Sequence, residues 1–340
     1  MSDSLPSCPV CGHLGGLLYP EVRDYFFGVE GAWPVWRCAS QKCGLLWQSP
    51  APTRELIASY YDGYYTHGVP SIPPADIGWR GSARKAYLRR RYGYPFPLNV
   101  RAMILSYLFD FMPKRRERLA HDVVYVPFRI GGRLLDVGCG AGNTLIRMRA
   151  CGWDVVGVDF DEHALVSARS NGLSVFHGSL EDQGFPDDSF DVILMEHLIE
   201  HVPDVGALLG ECRRLLKSDG MLVLMTPNAC SLGHILFRQH WRGLEVPRHL
   251  RVYTPNALST ELEKNGFGRA TISSTALSAR EGLMQSSLAA AAEFAGTHVV
   301  IDKKAVWLES FERIAASLGF FAGETLVAIA RPSNKVDVDF

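Results

Sequence analysis

"RLLDVGCGAGNTL", residues 133–145, reads as an apolar strand that runs into a glycine turn and then into a helix. The pattern repeats outward. "WDVVGVDF" (153–160), "LSVFHGS" (173–179), "FDVILM" (190–195) and "MLVLMTP" (221–227) read as further strands. Helical stretches separate them: "DEHALVSARSNG" (161–172), and "DVGALLGECRRLLKSDG" (204–220), where Val205, Leu208, Leu209, Cys212, Leu215 and Leu216 recur at helical spacing and Gly220 ends the run. Strand–helix alternation of this kind predicts an α/β fold, a parallel sheet with helices on both faces. Ligands of such sheets sit beyond the carboxyl ends of the strands.

The glycine spacing narrows the ligand. Gly138, Gly140 and Gly142 make G-x-G-x-G, not the G-x-G-x-x-G of dinucleotide enzymes, and Asp136 lies two residues before the first glycine. A carboxylate there would repel a pyrophosphate at the helix N-terminus and attract a ligand with an ammonium and a sulfonium. Asp159 closes the second strand, where a carboxylate can take both hydroxyls of a ribose.

Over residues 133–229 the chain resembles the class I S-adenosylmethionine (SAM) methyltransferases. The resemblance implies a doubly wound, seven-stranded, Rossmann-like methyltransferase sheet with SAM as methyl donor. It also implies roles: Asp136 and the backbone of Gly138, Gly140 and Gly142 at the amino-acid end, Asp159 on the ribose, and Phe160, Ser179 and Leu180 about the adenine. Met195 and Glu196 fall near the methionine part. Ser179 stands where the family more often has Asp. "GRATISST" (268–275) and "ETLVAIARP" (324–332) are then the sixth strand and an antiparallel seventh.

"CPVCG" and "CASQKCG" supply two cysteine hooks, each ending in glycine. Cys8, Cys11, Cys38 and Cys43 have the spacing of a structural zinc ribbon. "HLIEH" (197–201) has the form of an inverted zinc-peptidase motif, yet it follows a strand directly and Pro203 comes two residues later, so no full helix can present both histidines and a metal is not expected there. Three parts are expected: a zinc ribbon over 1–50, a helical lid or linker over 51–130, and a methyltransferase domain over 131–335 with insertions at 229–254 and 278–320.

The first insertion contains "LEVPRHLRVYTP" (244–255). It resembles a segment of zinc-ribbon-bearing methyltransferases of sugar and secondary metabolism, in which a histidine is catalytic. The resemblance implies His249 as base, with Arg248 and Tyr253 beside it. Arg248 replaces a glutamate of those relatives, and Tyr253 falls one residue farther from the histidine. A second reading makes His249 an anchor of the insertion. The tyrosine-rich stretch at 60–65 resembles a cofactor cover and adds Tyr65 to the SAM contacts.

The formal charge of -1 gives no general reason to expect nucleic acid. Locally, Arg80 to Arg118 holds eleven Lys and Arg against Asp110 and Glu117, a net +9. That stretch fits packing on the domain, an anionic or nucleotide-linked small-molecule acceptor, or peripheral contact with an acidic membrane face. No run reaches the roughly 18 apolar residues of a membrane span, and a cytoplasmic location with reduced thiols is expected. The leading function is methylation of a sugar, glycan precursor or related hydroxylated metabolite. Rivals are an RNA methyltransferase and a SAM-binding regulator without turnover.

Overall fold

A computed structural model describes residues 5–53, 56–57, 60, 78–97, 99–293 and 302–333. Among the described residues, eleven strands form two sheets. The larger contains β4 (Arg133–Val137), β5 (Asp154–Asp159), β6 (Ser174–His177), β7 (Phe190–Glu196), β8 (Leu216–Pro227), β10 (Thr271–Thr275) and β11 (Thr325–Ala330), in the order β10-β11-β8-β7-β4-β5-β6. β4 pairs in parallel with β5 and β7, β5 in parallel with β6, and β10 antiparallel with β11. This is the seven-stranded, Rossmann-like sheet expected from the sequence. Its central strands are buried almost throughout, which is why they read as continuous apolar runs.

The smaller, antiparallel sheet has β1 (Gly15–Val22), β2 (Trp33–Cys38), β3 (Leu46–Gln48) and β9 (Arg251–Val252) in chain order. Its last strand comes from the 229–254 segment. Arg251 pairs with Trp47 and Val252 with Leu46. A core of Val22, Val35, Leu46, Trp241, Leu244, Val246 and Val252 lies behind the pairing.

The chain divides into two compact units: one of Met1–Tyr64, His197–Arg213 and Leu224–Phe340, the other of Tyr65–Glu196 and Arg214–Val223. The second contains the glycine turn. Two local features differ from the sequence reading. The helix after β7 ends at Leu215 and β8 opens at Leu216, so Gly220 lies within the strand. A side chain at Gly220 would meet the Lys217 carbonyl at 2.9 Å and the Asp191 carbonyl at 3.2 Å, and this close backbone approach accounts for the glycine. Within the helical stretch expected over 51–130, residues 100–122 do not run as one helix but form three pieces: Val100–Ser106, a 3-10 turn Tyr107–Phe111, and Pro113–Asp122. Pro113 lacks the N–H that would continue the earlier helix and instead starts the next one.

Candidate active site

The turn after β4 is built by glycine. Gly138, Gly140 and Gly142 all have positive φ, at 80°, 50° and 82°. At Gly142 a Cβ would fall 2.3 Å from Leu173 Cδ1, so both torsion and space require glycine. Gly142 also caps the helix Asn143–Ala150. The Gly140 N–H donates to Asp159 Oδ2 at 2.7 Å, and Asp161 N–H donates to Asp159 Oδ1 at 2.8 Å. The Asp159 carboxylate thus ties the turn to the end of β5.

Asp136 is 3% exposed, in β4. Burial pushes its carboxyl well above the usual range, and the negative charges of Glu196 and Asp159 push it farther, with Arg147 opposing. Asp159 is also raised, by burial first, against the backbone N–H groups it accepts. Glu196 closes β7, and its Oε1 meets His121 Nε2 at 3.0 Å while Thr144 Oγ donates to Oε2 at 3.3 Å. Three carboxylates about a glycine turn, with their charge incompletely offset, suit a cationic ligand and disfavour a pyrophosphate.

The remaining expected contacts surround the same strands. Phe160 is 70% exposed, and His177 Nε2 donates to its carbonyl at 3.0 Å. Ser179 Oγ donates to Asp182 Oδ2 at 2.6 Å, so a carboxylate stands beside the serine that replaces the family's Asp. Leu180 and Met195 are buried. Tyr65 lies outside the described residues. Sequence reasoning overlooked His121, Thr144 and Asp182. His121 is 75 positions from Glu196 and lies three residues beyond the basic segment, where no local pattern marks it.

Residues 105–269 match a family of methyltransferase domains. The chain carries a class I, SAM-dependent methyltransferase domain. A ubiquinone biosynthesis O-methyltransferase of Rhodopseudomonas palustris (strain HaA2) is 29% identical over 213 residues, 58% of this chain and 81% of that one. A probable S-adenosylmethionine-dependent methyltransferase of Mycolicibacterium smegmatis is 33% identical over 152 residues, 43% of this chain and 57% of its own length. Among solved structures, a SAM-dependent methyltransferase from Archaeoglobus fulgidus is 21% identical, with a TM-score of 0.43 over 65% of this chain and 93% of that one.

In the other unit of this methyltransferase, residues 244–255 form a buried polar cluster. Arg248 is 1% exposed. Its Nη2 donates to Asp24 Oδ2 at 2.9 Å, its Nε donates to Glu245 Oε1 at 3.1 Å, and its guanidinium lies 4.2 Å from the Phe27 ring centroid. Arg242 also pairs with Glu245. Arg251 donates to the carbonyls of Val202 and Pro203. The two arginines flanking the histidine are therefore held by protein groups.

His249 is 6% exposed, and its Nδ1 donates to the Gly243 carbonyl at 2.8 Å, which leaves Nε2 as the basic nitrogen, 3.7 Å from Glu245 Oε2. Burial pulls its pKa down to about 4, outweighing the nearby Glu245, so the ring is neutral at pH 7. Its ring centroid is 4.7 Å from that of His201, whose Nδ1 donates to the Arg248 carbonyl at 3.1 Å. Glu200 is fully buried. Burial pushes its carboxyl up, but the bond to His197 Nδ1 and the neighbouring histidines bring it down to about 2, and Thr226 Oγ donates to it at 2.9 Å. Ligand atoms of Glu200, His201 and His249 lie within 4.8 Å of one another, so the groups that converge are not the two histidines of the H-x-x-E-H pattern. The 3-10 turn Ile199–His201 stands where that motif would need a full helix. Tyr253 is fully buried, and burial raises its phenol.

The four N-terminal cysteines converge. Cys8 Sγ is 3.8 Å from Cys43 Sγ, Cys11 Sγ is 3.3 Å from Cys38 Sγ, and all four sulfurs lie within 4.8 Å of one another. Gly12 and Gly44, with φ of 74° and 67°, turn the two hooks. A tetrahedral ion with bonds of ~2.3 Å to sulfur separates its ligands by ~3.8 Å, so the thiol set fits zinc. Thr254 donates its hydroxyl to the Cys43 carbonyl, and Gln48 Nε2 donates to the His249 carbonyl at 2.6 Å.

Among the described residues, no helix is long and apolar enough to cross a membrane.

Proposed function

We propose that this methyltransferase transfers the methyl group of SAM to a hydroxyl of a small hydroxylated metabolite. A sugar, glycan precursor or natural-product intermediate is the acceptor class, with an anionic or nucleotide-linked form included in it. The observation that carries the SAM half is the set of three carboxylates, Asp136, Asp159 and Glu196, about the glycine turn. Asp136 and the backbone of Gly138 to Gly142 hold the amino-acid end. Asp159 keeps the turn closed with two of its carboxylate's roughly four acceptor sites and offers the others to the ribose. Phe160, Ser179 and Leu180 flank the adenine and Met195 and Glu196 the methionine part, and the family resemblance assigns Tyr65 to the cofactor cover. The relatives named for O-methyl transfer favour oxygen over carbon as acceptor atom.

His249 is the proposed base. Its Nδ1–H is committed to Gly243, so its neutral Nε2 can take the acceptor's proton. Arg248 and Tyr253, both buried, hold the segment that carries it. Zinc at Cys8, Cys11, Cys38 and Cys43 is structural in this reading, because four thiolates close the coordination sphere. The test is His249→Asn, whose amide can keep the bond to Gly243. With a panel of phenolic, sugar and nucleotide-sugar acceptors, it should lose transfer by about 10²-fold or more while SAM binding, read by calorimetry, stays unchanged. Undiminished transfer by this variant sinks the base assignment.

A further inference from the structure

The methyl-transfer reading leaves the surface of the segment 99–119 unused. The helix Val100–Ser106 and the 3-10 turn Tyr107–Phe111 bury Ala102, Ser106 and Phe109 against their own unit. The opposite side carries large apolar groups into solvent: Val100 is 68% exposed, Ile104 67%, Leu108 57% and Phe111 85%. Four such groups within twelve residues make an apolar patch of the kind that marks an interaction surface.

Cations border the patch. Arg101 and, just after Pro113, Lys114, Arg115, Arg116 and Arg118 are all exposed; only Glu117 opposes them within this border, for a net +4. Arg115 lies 5.5 Å from the ring centroid of Phe109, which sits beneath the patch. Asp110, the other acid of the segment, is paired with Arg90 at 2.7 Å. This composition discriminates between occupants. A second copy of the same face would set +4 against +4, and a neutral apolar partner would leave the cations without a role. A bilayer with anionic headgroups offers acyl chains to Ile104, Leu108 and Phe111 and phosphates to the arginines at once.

We propose that residues 100–118 dock this methyltransferase on an anionic lipid bilayer, with Leu108 and Phe111 entering the headgroup–acyl boundary and Lys114, Arg115 and Arg116 on the phosphates. The docking is peripheral and depends on salt, because the cations are exposed and the Debye length shrinks from ~14 Å at 50 mM to ~4 Å at 500 mM.

The test is co-sedimentation of the full chain with sonicated vesicles of phosphatidylcholine alone, or with 30% phosphatidylglycerol, at low and high salt. The expected result is partitioning on the order of 10³-fold stronger on the anionic vesicles at low salt, from four net charges at about 1 kcal/mol each, and loss of that preference at high salt. Lys114→Glu with Arg115→Glu and Arg116→Glu should abolish the preference, and Leu108→Ser with Phe111→Ser should weaken binding at least tenfold. SAM affinity by calorimetry, unchanged in both variants, establishes that they are folded. Three results overturn the proposal: no anionic preference in the parent protein, undiminished binding in the variants, or a concentration-dependent dimer that Phe111→Ser dissolves without any vesicle binding.

Discussion

Asp136→Asn should move two measurements in opposite directions. In the unliganded protein the carboxyl at position 136 is buried and faces the charges of Glu196 and Asp159, so its pKa is raised in the fold. A carboxyl whose folded pKa exceeds its unfolded one contributes least at neutral pH. Its contribution is full below the unfolded value near 3.9 and is lost as pH rises through the folded value. Each unit of elevation stands for about 1.4 kcal/mol of destabilisation once the group ionises. Asparagine cannot ionise, so the variant without ligand should be more stable at pH 7, by about 1.4 kcal/mol for each unit, and its stability should no longer fall over that window.

SAM binding should weaken. A charge-assisted hydrogen bond from the ligand's ammonium is worth about 1.5–3 kcal/mol, which corresponds to a loss of about 10- to 150-fold in affinity. Isothermal calorimetry with SAM and urea unfolding of the free protein between pH 5 and 8 read the two effects separately. A variant that is less stable, with its SAM affinity intact, would refute the reasoning, because Asp136 would then be a structural strut and its burial no sign of a cationic ligand.

Arg248→Ala should cost about 3–5 kcal/mol in urea unfolding, because it leaves Asp24 and Glu245 buried with less compensation; a cost below ~1 kcal/mol would mean that water reaches those acids. Purified protein should carry close to one zinc per chain by elemental analysis, and Cys43→Ser should lose it. With ~10 kcal/mol or more of metal binding withdrawn, residues 5–48 should become sensitive to proteases. Metal-free protein with a protease-resistant N-terminal sheet would count against the zinc reading.

The parallel sheet was legible because strands buried on both faces leave an unbroken apolar record, and the glycine turn because Gly142 admits no side chain beside Leu173. The same record misled at Leu215 and Leu216. Both residues are fully or nearly fully buried, one ending a helix and one opening a strand, and an apolar pair fits either period. β9 was illegible for a different reason: two residues contain no period at all, and their place beside β3 follows from pairings across about 200 positions, such as Gln48 with His249.

Charge was the least legible property. "Arg-His-Leu-Arg" supplied the residue types of a reactive loop, but what a buried charge does depends on its partner, and Asp24 is 224 positions from Arg248. An arginine already held by two carboxylates has little capacity left for an anionic acceptor, whereas a histidine whose Nδ1–H is committed to a backbone carbonyl keeps the other nitrogen unprotonated. The two neighbours, alike in sequence as polar groups of one insertion, therefore divide in the folded chain: Arg248 fastens the segment, and His249 keeps Nε2, 3.7 Å from Glu245 Oε2, as its basic nitrogen. Substituting each in turn should accordingly separate stability from turnover, with the first change read in urea and the second in methyl transfer.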